Sequence, residues 1–378
     1  FYMFIFLAAE MTAIAGSLEL VAGIPAWQTA TAIGLFVLVY TAYGGLVASI
    51  FTDTVQTLLV LPLLAVGFGA AVVSLGGTDA VYSTAMSTDP TLLDPGFRPG
   101  LEFGLYVVFA VLGANMLNQG IWQRVYAADG ASTLSRSFGV AALTVVPMVL
   151  LAGLFGVAAS GLGLVTPETQ SVAFFLVVTE VLPEAISFAV VLLVVLLVMS
   201  SADTMLNAIS SLVTIDLARL GAVEDGRSLR LIGRGLTVLV ALGAIVIGAQ
   251  GYSVLQLFLT ADLLAAAVFV PLIWGLYAEG LTERGALAGS LAGLVVGIAY
   301  FPMLRGIVTL VPGIGGLLPE PAFLPAFLGA TGVSTLVTGL AVAVGSAGFE
   351  FDSLSTEIKS FDEPTPDEST AATGEVSD

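Results

Sequence analysis

The residues best suited to chemistry follow the apolar run at positions 186–199. Residues 199–207 read MSSADTMLN, so Ser200 and Ser201 offer two hydroxyl oxygens and Asp203 offers a carboxylate. Lipid solvates neither kind of group, so such side chains at membrane depth face the interior of a helix bundle and mark ion or solute paths. A hard cation needs oxygen ligands when it leaves water. The stretch therefore predicts a cation site inside a membrane.

Two adjacent hydroxyls on a helix can meet a cation together with a carbonyl oxygen of the previous turn, here that of Leu197. The alternative for the two serines alone is close helix packing, for which small residues are common in membranes. Asp203 favours the ion site, because a carboxylate at this depth needs a cation, a proton or an arginine. No arginine lies deep within the apolar runs.

Asp53 is a second candidate for ion binding. It lies about two turns after the glycine pair at residues 44–45, and this pair predicts a break or a tight turn in the chain. The alternative is an interfacial aspartate near a helix N-terminus, where the helix dipole stabilises a negative charge.

A third feature, residues 113–120, reads GANMLNQG within an otherwise apolar run. Glycines together with Asn115, Asn118 and Gln119 predict a broken helix that presents amide and backbone groups to a solute. Transporters use such broken helices near the middle of the membrane. The alternative is an amide-mediated contact between two helices.

Three more carboxylates interrupt apolar runs, at Asp262, Glu10 and Glu19. Asp262 lies roughly in the middle of its run, and a carboxylate there requires a partner. The sequence does not identify that partner. Glu10 and Glu19 pose the same question in the first run.

The composition is that of a membrane protein without an enzyme's usual groups. Hydrophobic residues make up 57% and charged residues 10% of the chain, against about 25% charged residues in soluble domains. The absence of Cys and His excludes disulfides, thiolate metal sites and the commonest general base. We find no phosphate-binding loop or nucleophile motif, and we expect no enzymatic activity.

The charge is strongly acidic, at −18. This argues against a nucleic-acid partner, which needs Lys and Arg. Lys359 is the only lysine, since the other nine basic residues are Arg. Excess acid with scarce lysine indicates adaptation to high salt, where surface charge is screened.

The chemistry-bearing residues must be positioned by membrane helices. We predict about ten spans, each with about the 20 residues that a bilayer requires. They cover residues 1–22, 27–43, 46–75, 101–123, 134–162, 183–217, 229–248, 253–277, 285–301 and 323–347. Residues 166–181 predict a short re-entrant or surface helix. The transmembrane domain is residues 1–348, and the acidic segment 349–378 predicts a disordered cytoplasmic tail.

Arginine-rich loops set the predicted orientation. Three loops fall on one side if each span crosses once, and they are marked by Arg124 and Arg136, by Arg219, Arg227, Arg230 and Arg234, and by Arg284. Arg98 and Arg305 fall on the other side. The side with the three loops is predicted to be cytoplasmic. The loop of residues 76–100 is then extracellular.

Three motifs, in this order, resemble the sodium:solute symporter family, which includes sodium/glucose, sodium/proline and sodium/sialic acid carriers. YTAYGGL at residues 40–46, with TDTVQ at residues 52–56, is similar to one of the family's paired motifs. NQGIWQR at residues 118–124 is similar to its Gln-Arg motif. The stretch from residue 199 to 216 is similar to the signature of its sodium-site helix.

The resemblance implies an all-α polytopic membrane protein with the leucine-transporter fold. This fold has two inverted five-helix repeats around a site at the middle of the membrane. The resemblance also implies that the chain begins in the third core helix. We therefore expect the N-terminal core helices to be missing, and we expect no transport from the chain as written.

The resemblance assigns the ion ligands residue by residue. Ser200 and Ser201 match the two hydroxyl ligands of the main sodium site, and Leu197 matches a backbone-carbonyl ligand. Asp53 matches an acidic residue on the cytoplasmic sodium exit route. In the sialic acid carriers that residue joins a second sodium site, whose other positions are Asp203 and Thr204 here. Asp203 departs from the family's hydroxyl, so a second cation or a proton becomes more plausible.

The resemblance says less about the solute. Asn118 matches a substrate-lining position of the sugar carriers. Phe258 replaces the family's sugar-contacting Gln, which weakens the case for a sugar. Asn115, Gln119 and Asp262 complete the predicted solute-binding set. Amino acids, monocarboxylates, urea and sugars all remain open.

These observations predict a secondary active transporter in the plasma membrane. It would couple sodium to the symport of a small organic solute by alternating access, with the sodium ion and the lipid bilayer as its other partners. One alternative is a proton-coupled carrier of the same fold, in which Asp53 or Asp203 titrates. Another is a membrane sensor or structural fragment without transport.

Overall fold

The computed structural model describes residues 1–166, 169–219, 226–310, 318, 320–345 and 351. Within this part of the chain, regular structure is helical. The α-helices are α1 Tyr2–Ala22, α2 Ala26–Ser74, α3 Thr78–Thr88, α4 Arg98–Leu117, α5 Gln119–Tyr126, α6 Ala131–Gly161, α7 Ala173–Val181, α8 Glu184–Arg219, α9 Gly226–Gly248, α10 Val254–Gly275, α11 Glu283–Tyr300, α12 Arg305–Val308 and α13 Phe323–Val344. Short 3₁₀ turns cover Pro90–Leu93 and Gln170–Val172.

Eight helical segments among the described residues are long and apolar enough to cross a membrane. They are Tyr2–Ala22, Ile50–Ser74, Arg98–Leu117, Ala131–Gly161, Glu184–Ala218, Arg227–Gly248, Val254–Gly275 and Phe323–Val344. The prediction of an all-α polytopic protein is confirmed, but the number of ten spans is not. Ala26–Val39 is a shorter apolar segment, and α11 has only 18 residues.

The predicted break at residues 44–45 is wrong. Helix α2 runs without interruption through both glycines from Ala26 to Ser74. Glycine inside a helix costs only about 1 kcal/mol relative to alanine. A broken backbone in lipid would instead leave N–H and C=O groups without partners, at a cost of several kcal/mol each. The helix therefore continues through the two glycines, because unbroken backbone hydrogen bonds outweigh the low helix propensity of glycine.

The predicted break near residues 113–120 is confirmed. Helix α4 ends at Leu117, and α5 begins at Gln119. Between them Asn118 has extended backbone angles, with φ −80° and ψ 94°. The short α5 then packs against α8, so the break turns the chain toward the polar stretch of α8.

Helix α10 lies between α1, α4, α11 and α13. Its Pro271 has no N–H, so the carbonyl of Ala267 loses its usual donor one turn earlier. The buried Ser334 of α13 supplies the missing hydrogen bond, from its hydroxyl to the Ala267 carbonyl at 2.6 Å. The proline is thus tolerated in the membrane because a neighbouring helix satisfies the freed group.

The predicted loop of residues 76–100 has structure of its own, which the sequence pattern did not indicate. It contains α3 and the 3₁₀ turn Pro90–Leu93, which Asp89 caps. The Asp89 carboxylate accepts hydrogen bonds from the Thr91 N–H at 2.9 Å and the Thr91 hydroxyl at 2.7 Å. These two bonds lower the pKa of Asp89.

The short helix predicted at residues 166–181 corresponds to α7 and the 3₁₀ turn before it, although residues 167–168 lie outside the described part. The predicted tail, 349–378, also lies outside the described residues apart from Phe351. The orientation inferred from the arginines remains a prediction.

Candidate ion and solute site

The polar stretch of α8 directs its hydroxyls toward three neighbouring helices. Ser200 donates a hydrogen bond to the Asp53 carboxylate of α2. The Ser201 hydroxyl lies near the carboxylate of Glu10 in α1. Thr204 accepts a hydrogen bond from Arg124 of α5 at 3.0 Å. Because successive helical residues are about 100° apart, Ser200 and Thr204 share one face of α8, and Ser201 lies beside that face.

Arg124 ties the site together from α5. Its guanidinium forms an ion pair with Asp53 and donates to the Gly120 carbonyl and to the Thr204 hydroxyl, each at 3.0 Å. The planar guanidinium suits several acceptors at once. No arginine lies deep within the predicted spans, but Arg124 follows the span of residues 101–123 and reaches Asp53 from there. The Gln-Arg motif identified Arg124 as a residue of interest. The sequence could not show which residues its side chain contacts, because that depends on how α5 is oriented after the helix break.

Asp203 is buried at the same contact, with 2% of its surface exposed. Its Oδ1 accepts a long hydrogen bond from Thr204, at 3.5 Å. Gly120 allows α5 to lie close by, because a Cβ there would be 2.5 Å from the Thr204 methyl group. Thr204 therefore forms a close contact with Arg124 and Gly120 of α5, and Asp203 lies beside Thr204 on α8.

Leu197 lies one turn before Ser201 on α8, so its carbonyl points along the helix axis toward the serine pair. Its side chain lines a small apolar cavity of about 20 Å³ together with Gly67, Phe155 and Val194. The Leu197 carbonyl is therefore placed where it could contribute to an ion site at the serines, and the Leu197 side chain packs against apolar neighbours.

Asn118 forms the start of α5. Its Oδ1 accepts a hydrogen bond from the Gly120 N–H at 3.0 Å, which satisfies one free donor of the new helix. The Trp122 indole N–H donates to the Met116 carbonyl at 2.9 Å, which satisfies an acceptor at the end of α4. Asn115 is exposed and donates to the Val111 carbonyl at 3.2 Å. The break thus includes Asn118 and the half-buried Gln119, whereas Asn115 contributes its carbonyl, which accepts from the Asn118 N–H at 3.4 Å.

Asp262 and Phe258 form a separate group with α1. Phe258 packs edge-to-face on Phe6, with ring centroids 4.8 Å apart. Tyr2 lies one turn before Phe6 on α1, and Asp262 lies one turn after Phe258 on α10. The charge of the buried Asp262 acts on the phenol of Tyr2. These predicted solute-binding residues therefore lie between α1 and α10, whereas the ion-binding candidates lie between α8, α2, α5 and α1.

The donor set suits a monovalent hard cation. Hydroxyl oxygens of Ser200 and Ser201 lie beside carboxylates from two other helices, Asp53 and Glu10. Within the described part of the chain, Asp, Glu, His and Cys side chains form no group of three that fits a bound metal ion. Glu10 is an addition to the predicted ion ligands, because nothing in the local sequence pattern shows which helix it faces.

The sequence profile of the sodium:solute symporter family matches residues 1–293. The chain belongs to this family. Relatives include a spermidine transporter of Candida albicans, 24% identical over 80% of this chain and 58% of its own length. A sodium/glucose cotransporter of Vibrio parahaemolyticus is 26% identical, over 78% and 60% of the two chains. The chain therefore spans less than two thirds of the length of these relatives.

A solved structure of a Na⁺-coupled sialic acid symporter superposes with a TM-score of 0.70. It is 17% identical, and the match covers 92% of this chain and 74% of the other. The likeness confirms the predicted leucine-transporter-like fold. The apolar helices and the family membership together show that the chain is a multi-pass membrane protein.

Proposed function

We propose that the protein couples sodium to the symport of a small organic solute across the plasma membrane. The observation that carries this proposal is the meeting of the α8 hydroxyls with carboxylates of two other helices, Asp53 with Ser200 and Glu10 with Ser201. The family is one of transporters, and several relatives are named for sodium. These names favour sodium over a proton as the coupling ion.

Sodium would bind at Ser200 and Ser201, where hydroxyl oxygens replace part of its hydration shell. The Leu197 carbonyl lies one turn away as a further ligand. Glu10 and Asp53 would supply negative charge from α1 and α2, which offsets the cost of desolvating the ion. Because these ligands come from separate helices, sodium would favour the conformation in which those helices lie together.

Arg124 would link the ion to the helix break. In the structure its guanidinium neutralises Asp53, so a sodium ion approaching Asp53 would compete with Arg124 for the same carboxylate. Release of Arg124 would free α5 from α2, and α5 begins at Asn118 in the broken helix. Ion binding and the predicted solute side of the break would thereby be coupled.

The driving force would come from the sodium gradient and the membrane potential. Each charge that crosses with the solute is worth about 2.3 kcal/mol per 100 mV. The solutes of the relatives differ widely, from spermidine and glucose to proline and pantothenate. Their names therefore do not identify the solute of this chain.

Proteoliposomes that contain the full-length protein test the coupling ion directly. A panel of labelled solutes would be offered under an inward sodium gradient, and separately under an inward proton gradient without sodium. We expect accumulation of at least one solute under the sodium gradient alone. Accumulation that follows the proton gradient and ignores sodium would contradict the proposal.

A further inference from the structure

Asp262 is a carboxylate in the middle of a membrane helix with 8% of its surface exposed. It makes no hydrogen bond or ion pair with any residue that the structure describes. A buried carboxylate without a partner is costly, and its charge must be offset when the protein works. Asp53 differs, because Arg124 already neutralises it. Asp262 thus has no counter-charge among the described residues, and a bound cation would supply one.

The surroundings of Asp262 are aromatic. Tyr2 of α1 lies close enough for the Asp262 charge to act on its phenol. One turn away on each of the two helices, Phe6 and Phe258 form their edge-to-face pair. Aromatic faces attract a positive charge through their quadrupoles, most strongly when the charge is desolvated. A carboxylate beside several aromatic rings is therefore suited to an organic cation.

This group is in contact with the broken helix. A Cβ on Gly113 of α4 would lie 2.6 Å from the Ala265 carbonyl, so the backbones of α4 and α10 approach closely one turn after Asp262. Ala114 and Leu117, which precede the break, pack in the same apolar cluster as Tyr2, Phe6 and Ala265. A ligand at Asp262 would therefore lie near the part of α4 that leads into the break at Asn118.

We propose that the solute is an organic ammonium compound, recognised by Asp262 with Tyr2, Phe6 and Phe258. The assignment rests on the proposed symport, because the amine is the solute of that same carrier. The positive nitrogen pairs with the Asp262 carboxylate, through N–H donors where it carries them, and the carbon groups contact the aromatic rings. A neutral solute of the same shape leaves the carboxylate without a counter-charge.

Matched probe pairs test this assignment in nanodiscs that contain the full-length protein. The pairs are n-butylamine with n-butanol, and choline with its uncharged tert-butyl analogue. Binding is measured by calorimetry in saturating sodium, and sodium affinity is measured separately without any solute. In the wild type we expect each cation to bind at least about tenfold more tightly than its neutral partner, because an ion pair in a buried site outweighs shape alone.

Asp262→Asn should abolish the preference for the cation while leaving sodium affinity without solute unchanged. Asp262→Glu keeps the negative charge and should retain the preference for the cation. This variant distinguishes loss of the charge from a folding defect in Asp262→Asn. Asp79→Asn, the same change at an exposed position in α3, should behave as wild type.

Equal binding of charged and neutral partners by a wild type that binds sodium would overturn the amine assignment and leave sodium coupling intact. The amine assignment would also fail if Asp262→Asn weakened sodium affinity and not the preference for amines, since Asp262 would then bind the ion. A wild type without any response to sodium would instead contradict the proposed function itself.

Discussion

At the scale of single residues, Arg124 donates to groups on α2, α5 and α8, and the Asp53 carboxylate among them carries a charge. About a third of the Arg124 side chain and a quarter of the Asp53 side chain are exposed. Solvent therefore screens the pair in part, and its contribution is smaller than that of a fully buried pair. Its main consequence is that Asp53 already has a counter-charge, with which a bound sodium ion would compete.

Arg124→Gln should lower the free energy of unfolding by about 1–2 kcal/mol in sodium-free buffer, because Asp53 loses its charged partner. Sodium should recover most of that loss, since the ion can take the place of the guanidinium. Thermal melts with and without sodium measure both effects. Arg136→Gln, an exposed arginine in α6, is the control. A loss that sodium does not reverse would show that Arg124 and sodium do not share Asp53.

At the scale of elements, the close approach of α4 and α10 depends on Gly113. An added methyl group would overlap the Ala265 carbonyl, and overpacking of this kind costs about 1–3 kcal/mol. Gly113→Ala should lower the unfolding temperature and weaken solute binding, because the helix break follows one turn later. Gly104→Ala lies on the same helix in open space and should be neutral or slightly stabilising. Equal melting temperatures for the two variants would show that the α4–α10 contact does not need a glycine.

The sequence predicted some of these elements and not others, for physical reasons. Amides and glycines in an apolar run predicted the break at Asn118, because capping groups are needed wherever a membrane helix stops. The glycines at residues 44–45 carried no such caps, and α2 continues through them. The serines and Asp203 marked the helix of the proposed ion site by type and spacing alone. The partners Glu10 and Arg124 depend on how distant helices pack, which local pattern does not encode.

At the scale of the whole molecule, the net charge is −18, and in dilute buffer the negatively charged groups repel one another. The Debye length is about 3 Å at 1 M salt, so molar salt screens that repulsion. The unfolding temperature should therefore rise as potassium chloride increases from dilute to molar, where potassium separates screening from sodium binding. A protein truncated after residue 348, which loses nine acidic residues, should respond less. Full stability in dilute buffer would argue against adaptation to high salt.

The most direct test of the sodium site is equilibrium binding of radiolabelled sodium to the purified full-length protein without solute. Ser201→Ala and Glu10→Gln should each weaken sodium affinity about tenfold, because each removes an oxygen ligand or a negative charge from the same ion. Ser132→Ala and Glu19→Gln, the same changes at exposed positions, should bind sodium as the wild type does. Wild-type affinity in both Ser201→Ala and Glu10→Gln would contradict a sodium site between α8 and α1.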